Sequence, residues 1–469
     1  MKHDSFYDER HRRLIERMRE AEDRYLAQRK AALESCDCKE GMFPDPAGAL
    51  NRRRFLLSGA ALASAGAAGM IPRMASAAAP PGAKDYPVPE DPTKVLGRPV
   101  NANGGYGTRS QFEDAVRWRF PTATKESSWT MTPLAEEYGF LTPSGLHFER
   151  HHGGVPAINP GQHTLLVHGM VKKPLRFTMD ELTRLPSVSR LHFIECSGNG
   201  LTEWGGPNLK TVQGTHGLVS TSEWTGVPLS LILDQAGLAD GAKWILAEGA
   251  DAAVMTRSVP LDKCYDDALL AYGQNGEAIR PEQGYPLRLV LPGWEGNTHI
   301  KWIRRIEVSD VPYMTREETS KYTDLVDGGK ARKFSFVMEA KSVITFPSGE
   351  MKLPGPGFYE ITGLAWSGRG RVRKVEVSAD GGKSWKEADI SGPIERVCAV
   401  RFRLPWMWDG NPAILQSRCT DDTGYLQPTI GELIKARGMH GKYGSIYHLN
   451  GIQSWQVAGD GRVTNVHHY

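Results

Sequence analysis

Near residue 330 the pattern of this chain changes, and that change constrains its architecture more than any other feature. Ahead of it, β-rich runs alternate with short helical stretches. Thr164-Leu165-Leu166-Val167-His168-Gly169 alternates as a strand, Met179-Asp180-Glu181-Leu182 opens a short helix, and 191–196 is a strand closed by Ser197-Gly198-Asn199-Gly200. Residues 228–237 read as a helix stopped by glycine, and 243–248 and 287–291 as β-rich runs. Behind residue 330 only strands remain, at 359–366, 372–378, 397–404 and 413–419, with Asp380-Gly381-Gly382 as a hairpin-type turn before Trp385. Regularly spaced strands over about 140 residues predict an immunoglobulin-like sandwich. The expected fold is α+β, a mixed α/β domain over 98–328 followed by an all-β immunoglobulin-like sandwich over 329–469.

The chain has 469 residues, enough for two or three domains, and its 24% charged and 40% hydrophobic content excludes disordered, collagen-like and polytopic membrane proteins. Six cysteines are too few for a disulfide scaffold. The net charge of +3 sits wholly in residues 1–77, where 14 Lys+Arg meet 11 Asp+Glu. Beyond residue 77 the charges balance, so a global basic patch for nucleic acid or membrane is not implied.

That basic segment reads as a leader. Asn51-Arg52-Arg53-Arg54-Phe55-Leu56-Leu57 precedes a mild Ala/Gly/Leu stretch and then Ala75-Ser76-Ala77, which resembles a twin-arginine export signal with an A-x-A cleavage site. The alternative is a membrane anchor, but the apolar run of about 17 residues is short and weak for a span. Cleavage after Ala77 would leave 392 residues, exported to the periplasm with no membrane span. Residues 5–34 are expected to be helical, Cys36-Asp37-Cys38 has no metal-ligand partner nearby and is given no role, and 78–97 is a Pro/Gly-rich linker.

Cys196 carries the most chemical information. It ends a strand and enters a glycine-containing turn whose N–H groups would favour a thiolate. It is a structural thiol, a nucleophile without an identifiable base, or a lone thiolate ligand to a soft metal held mainly by something else. The surroundings favour the third reading, because three other segments offer the Arg and Lys donors that a phosphorylated organic cofactor needs. These are Phe148-Glu149-Arg150-His151-His152, Gln283-Gly284-Tyr285-Pro286-Leu287-Arg288 and Asn297-Thr298-His299-Ile300-Lys301-Trp302.

Taken with Glu248-Gly249-Ala250-Asp251 and Cys196-Ser197-Gly198-Asn199, these segments resemble, in order, those of the sulfite oxidase family of mononuclear molybdenum enzymes, over about residues 98–469. The resemblance implies a molybdopterin-binding domain of sulfite-oxidase fold at 98–328 and a dimerisation domain at 329–469. It implies molybdenum–molybdopterin as cofactor, with Cys196 as the one protein ligand to the metal. Phe148, Arg150, His152, Asp251, Gln283, Arg288, His299, Ile300 and Lys301 match cofactor-binding positions, Gln283 standing where eukaryotic members have histidine. Tyr322, 21 residues after Lys301, matches an active-site tyrosine, the alternative being a surface aromatic. Arg150 is expected at the reacting centre too, and His151 is expected to be spacing.

The implied reaction moves an oxygen atom from water to a sulfur substrate and releases two electrons. No cysteine starts a C-x-x-C-H haem motif, so no haem is expected in this chain and an external c-type cytochrome is expected as acceptor. Members of the family that oxidise sulfite often carry arginines after C-A-G-N. Here Gly200-Leu201 follow Asn199, and Trp204 with the glycines suggests a site open to a larger guest. With Gly214-Thr215-His216-Gly217 and Glu223-Trp224-Thr225-Gly226, this looks like the SoxC type, molybdenum subunits of sulfane dehydrogenases. The implied substrate is a cysteine persulfide on a sulfur-carrier protein, and the implied partner a dihaem cytochrome subunit. The alternatives are a sulfite dehydrogenase and a non-catalytic exported binding protein. A homodimer is expected, with Trp406 and Trp408 in its interface or in the core. Cys398 and Cys419 are expected on neighbouring strands, as buried thiols or a pair, and His467-His468 as solvated.

Overall fold

The computed structural model describes residues 2–35, 107, 109, 110, 112–120, 122, 124–326, 330–439 and 448–468. The twin arginines, Cys36, Cys38, the cleavage site and the 78–97 linker lie outside the described residues. Two compact units are present, Met1–Leu26 with Ala115–Tyr469, and Ala27–Asp114. Among the described residues no helix is long and apolar enough to cross a membrane.

The expected helix is present as α1 (Lys2–Ser35). Ile15, Met18, Glu22 and Tyr25 fall at heptad-like spacing and are all buried, so one stripe of α1 faces the protein. Met18, Ala21 and Tyr25 join Trp118, Phe120, Met131, Leu209 and Leu218 in one apolar cluster. Each large apolar side chain buried this way is worth roughly 1.5–3 kcal/mol.

Two sheets frame the first domain. One is antiparallel, ordered Glu277–Ala278, Leu269–Gln274, Val219–Pro228, Val188–Glu195, with Arg288–Val290 also pairing Leu269–Gln274. The other is ordered Leu175–Thr178, Thr164–Gly169, Ile303–Ser309, Trp244–Gly249, Thr256–Pro260. Its central pair, Thr164–Gly169 with Ile303–Ser309, is parallel and the rest antiparallel. The short helix Met179–Thr183 starts at a capping box between Thr178 and Glu181, and Leu229–Ala236 stops at Gly237, which has φ +65°.

Beyond residue 340 two antiparallel sheets face each other as a sandwich. One runs Lys341–Phe346, Gly357–Trp366, Val400–Trp408, Asp389–Ser391, and the other Lys386–Glu387, Val372–Ser378, Ala413–Asp421, Ser454–Val457, Val463–Val466. The sandwich core is shared with the first domain, since Leu134, Phe193, Val212 and Val219 pack among its residues. Gly381 and Gly382 take φ +75° and +85° in the turn after Val372–Ser378, a backbone that favours glycine.

Three details differ from expectation. Cys398 precedes Val400–Trp408 in one sheet while Cys419 lies on Ala413–Asp421 in the other, so they are not on neighbouring strands, and both are free buried thiols. Trp204 is buried with Leu433 and Leu449 and does not open the site. His467 and His468 are half-buried, and a His468 ring nitrogen lies 2.9 Å from the Gly381 carbonyl oxygen.

Candidate active site

Cys196 follows the strand Val188–Glu195 and is held by main-chain bonds, its N–H donating to Leu218 O at 2.9 Å and its carbonyl accepting from Asn199 N–H at 2.9 Å. The turn holds the thiol less as a thiolate than its glycines suggest. Burial raises the Cys196 thiol, and the Gly198 N–H offsets this only in part. A bound cation would supply the missing stabilisation of the thiolate.

A cavity opens over this sulfur, and all eleven expected residues line it: Phe148, Arg150, His152, Cys196, Asp251, Gln283, Arg288, His299, Ile300, Lys301 and Tyr322. Their roles within it differ. Arg288 is buried with one nitrogen donating to Gln283 O at 2.8 Å, while its Nε has no partner, and burial lowers the guanidinium to about 9. Gln283 donates from Nε2 to Phe148 O at 2.8 Å, which leaves its Oε1 facing Arg288 at 3.3 Å.

Lys301 works as a clamp. Its ammonium donates to Arg150 O (3.1 Å), Glu282 O (3.1 Å) and His151 Nδ1 (3.0 Å), using all three N–H groups on the cavity wall. His151 is therefore more than spacing. Burial, then Lys301, lowers it to about 3, so it is neutral, accepting from Lys301 and donating from Nε2 to Glu149 at 2.8 Å. His299 is likewise committed to the fold, its Nδ1 accepting from Leu291 N–H at 3.3 Å and its Nε2 lying 3.1 Å from Trp294 O. Asp251 closes its own turn by accepting from Met255 N–H at 3.3 Å.

Tyr322 follows the wide helical turn Glu317–Lys321, with its N–H on Glu317 O at 2.8 Å. Its ring stacks 5.6 Å from the guanidinium carbon of Arg257, a residue sequence reasoning did not single out. Arg257 is fully buried, pairs with Glu318 at 3.5 Å and hydrogen-bonds Asn297. Asn297 in turn donates to Glu295 at 2.8 Å and reaches Ser197 Oγ at 3.4 Å. Tyr322 and the turn after Cys196 are thus braced through one arginine. An arginine inside the strand Thr256–Pro260 carries no sequence signal of burial, because its partner Glu318 is supplied by tertiary structure.

In front of the inner cavity a second, larger and open one shares Arg150, His152, Cys196 and Tyr322. Ser197-Gly198-Asn199-Gly200-Leu201 forms one wall and Arg13, Leu14, Arg17 and Met18 of α1 another.

The residues fit a sulfur-held metal on a phosphorylated cofactor. Arg150, Arg288 and Lys301 face the inner cavity against the single carboxylate of Asp251, and the Arg288 Nε is a buried donor awaiting an acceptor. Among the described residues no three His, Cys, Asp or Glu side chains gather as a metal site, so a metal at Cys196 must draw its other ligands from the cofactor.

Residues 152–316 match the oxidoreductase molybdopterin binding domain and 332–454 the Mo-co oxidoreductase dimerisation domain. The sulfane dehydrogenase SoxCD from Paracoccus pantotrophus is similar in structure, with a TM-score of 0.76 and 46% identity over 79% of this chain and 95% of that one. The nitrate reductase [NADH] of Ulva prolifera is 32% identical over 279 residues, 53% of this chain and 32% of the relative. A Brassica napus nitrate reductase [NADH] is 34% identical over 55% of this chain and 32% of its own. The chain spans about a third of the length of these curated relatives. Two matched domains in family order and a solved relative covered almost end to end establish that this chain is a SoxC-like member of the sulfite oxidase family, with molybdenum–molybdopterin as its cofactor.

Proposed function

We propose that this protein is an exported oxidoreductase that oxidises the sulfane sulfur of a cysteine persulfide on a carrier protein, using water as the oxygen source and a c-type cytochrome subunit as electron acceptor. The observation that carries this reading is the open cavity before Cys196, one wall of which is the small-residue run Ser197-Gly198-Asn199-Gly200. The similarity to a sulfane dehydrogenase supports it. The twin-arginine pattern supports export to the periplasm.

When bound, molybdenum–molybdopterin supplies two-electron oxygen-atom transfer. Cys196 would hold the metal, and Arg288 with Arg150 would receive the cofactor's anionic groups. Lys301 and His151 keep the strand bearing Arg150 against the Glu282 loop, so the cationic wall is preformed. Tyr322, its ring against Arg257, would offer its hydroxyl to the reacting oxygen. Release of electrons one at a time requires the external haem partner.

The test is a comparison of substrates on purified, molybdenum-loaded protein with its cytochrome. A higher kcat/KM for carrier-bound persulfide than for free sulfite is expected. The reverse order would replace this reading with a sulfite dehydrogenase. Properly exported protein without molybdenum would point instead to a binding protein.

A further inference from the structure

Helix α1 belongs to the segment expected to be removed on export, yet it is seated on the catalytic unit as firmly as a core element. Glu22 is 1% exposed, and its carboxylate accepts from Lys210 N–H at 2.7 Å, Thr211 N–H at 2.8 Å and the Thr211 hydroxyl at 2.6 Å. Burial raises Glu22, as expected of a carboxyl desolvated against main-chain donors. Gly214 makes the room, for a Cβ there would collide with the Glu22 carboxylate. Arg19 adds a donor to Asn208 O at 2.7 Å. Met18 and Tyr25 fill an apolar floor that includes Trp118 and Leu209.

The receiving face is thus complementary to a helix that brings a carboxylate, a guanidinium and an apolar stripe. It is also continuous with the mouth of the site, because α1 lines the open cavity through Arg13, Leu14, Arg17 and Met18 while Cys196 lies on its inner wall. A protein that brought its sulfur to Cys196 through this cavity would come against the face that α1 covers. Removal of α1 would leave Trp118, Leu209 and the Lys210 and Thr211 amides uncovered, and such a surface calls for a replacement partner.

We propose that the face under α1 is the docking surface for the sulfur-carrying protein, and that α1 holds this face closed in the uncleaved chain. The partner is expected to present an acidic side chain to Lys210 and Thr211 beside apolar residues. This inference rests on the proposed function, since it takes a protein-borne sulfur as substrate.

The test uses the full chain, its Glu22→Lys variant, and full chain cut after residue 77 at an introduced protease site once folded and then freed of residues 1–77, their loss verified by mass spectrometry. Two measurements are made. In metal-free protein, labelling of Cys196 is followed by peptide mass spectrometry with iodoacetamide and with a maleimide tethered to a large polyethylene glycol. In loaded protein, kcat/KM is measured for free sulfite and for the cognate carrier charged as its persulfide. Opening α1 by either route is expected to raise polymer labelling and carrier turnover by about tenfold or more, with iodoacetamide labelling and sulfite turnover within about twofold. Equal polymer labelling and equal carrier turnover by closed and opened chains would overturn the docking assignment and leave the proposed function standing. Preference of the opened chain for sulfite over the carrier would overturn the proposed function, and the docking assignment with it.

Discussion

The ammonium of Lys341, on the first strand of the sandwich, lies 2.5 Å from the carboxylate of Glu195, the residue before Cys196, and both side chains are fully buried. Glu195 also accepts from Trp366 Nε1 at 2.7 Å and Asn199 Nδ2 at 2.9 Å. One carboxylate therefore ties the start of the Cys196 turn to two strands of the other domain. Lys341→Ala would leave that carboxylate buried without its cation. A loss of about 3–5 kcal/mol in unfolding free energy is expected by urea denaturation. A change below about 1 kcal/mol would mean that the pair contributes nothing beyond its hydrogen bonds.

Cys196→Ser keeps the shape of the turn and removes the soft ligand. Molybdenum content is expected to fall by about tenfold or more, with turnover lost, while the metal-free protein changes in stability by less than about 1 kcal/mol. Elemental analysis beside a denaturation curve checks both halves.

Arg288→Met removes the buried donor that lacks an acceptor. Cofactor retention through gel filtration is expected to weaken by about tenfold or more. The apo protein should lose little stability, because the variant relieves the burial of a guanidinium. Loss of the fold itself would show that Arg288 acts chiefly as a structural partner of Gln283.

Much of the fold and site was legible because the informative residues sit where backbone pattern and chemistry coincide. Arg288 begins a β-rich run after Gly284 and Pro286, and Cys196 ends one before a glycine turn, so each could be placed on its strand from local signals, while their cofactor roles rested on the family resemblance. Arg257 could not, since its burial depends on Glu318, which comes from a helical turn distant in sequence. The seat of Glu22 was hidden for the same reason. The stripe of α1 is visible as periodicity, but the amides of Lys210 and Thr211 are brought to it only by tertiary structure. The separation of Cys398 from Cys419 depends on which strands share a sheet, and strand order is not written in strand sequence.

Glu203 offers a pH-dependent check. Burial pushes its carboxyl up to about 7, against hydrogen bonds from Asn465, Thr202 and the Leu209 N–H. A carboxyl raised in the folded state binds its proton more tightly there than when unfolded, so the stability it contributes is full below about pH 4 and is lost as pH rises through about 7. The difference in unfolding free energy between wild type and Glu203→Gln is expected to shift against wild type by about 1–3 kcal/mol across that window. A difference that is flat with pH would show that Glu203 titrates alike in both states.

Phe193, Val212 and Val219 pack within the sandwich core although they precede or follow the Cys196 turn in the first domain. The sandwich is therefore not a detachable handle for assembly. Exchanging it between relatives would repack the floor beneath the Cys196 turn. A graft of the Cys196 turn alone onto another member would arrive without its foundation. A substitution at the seam between the two domains is felt on both sides of it, in the sandwich core and under Cys196 alike.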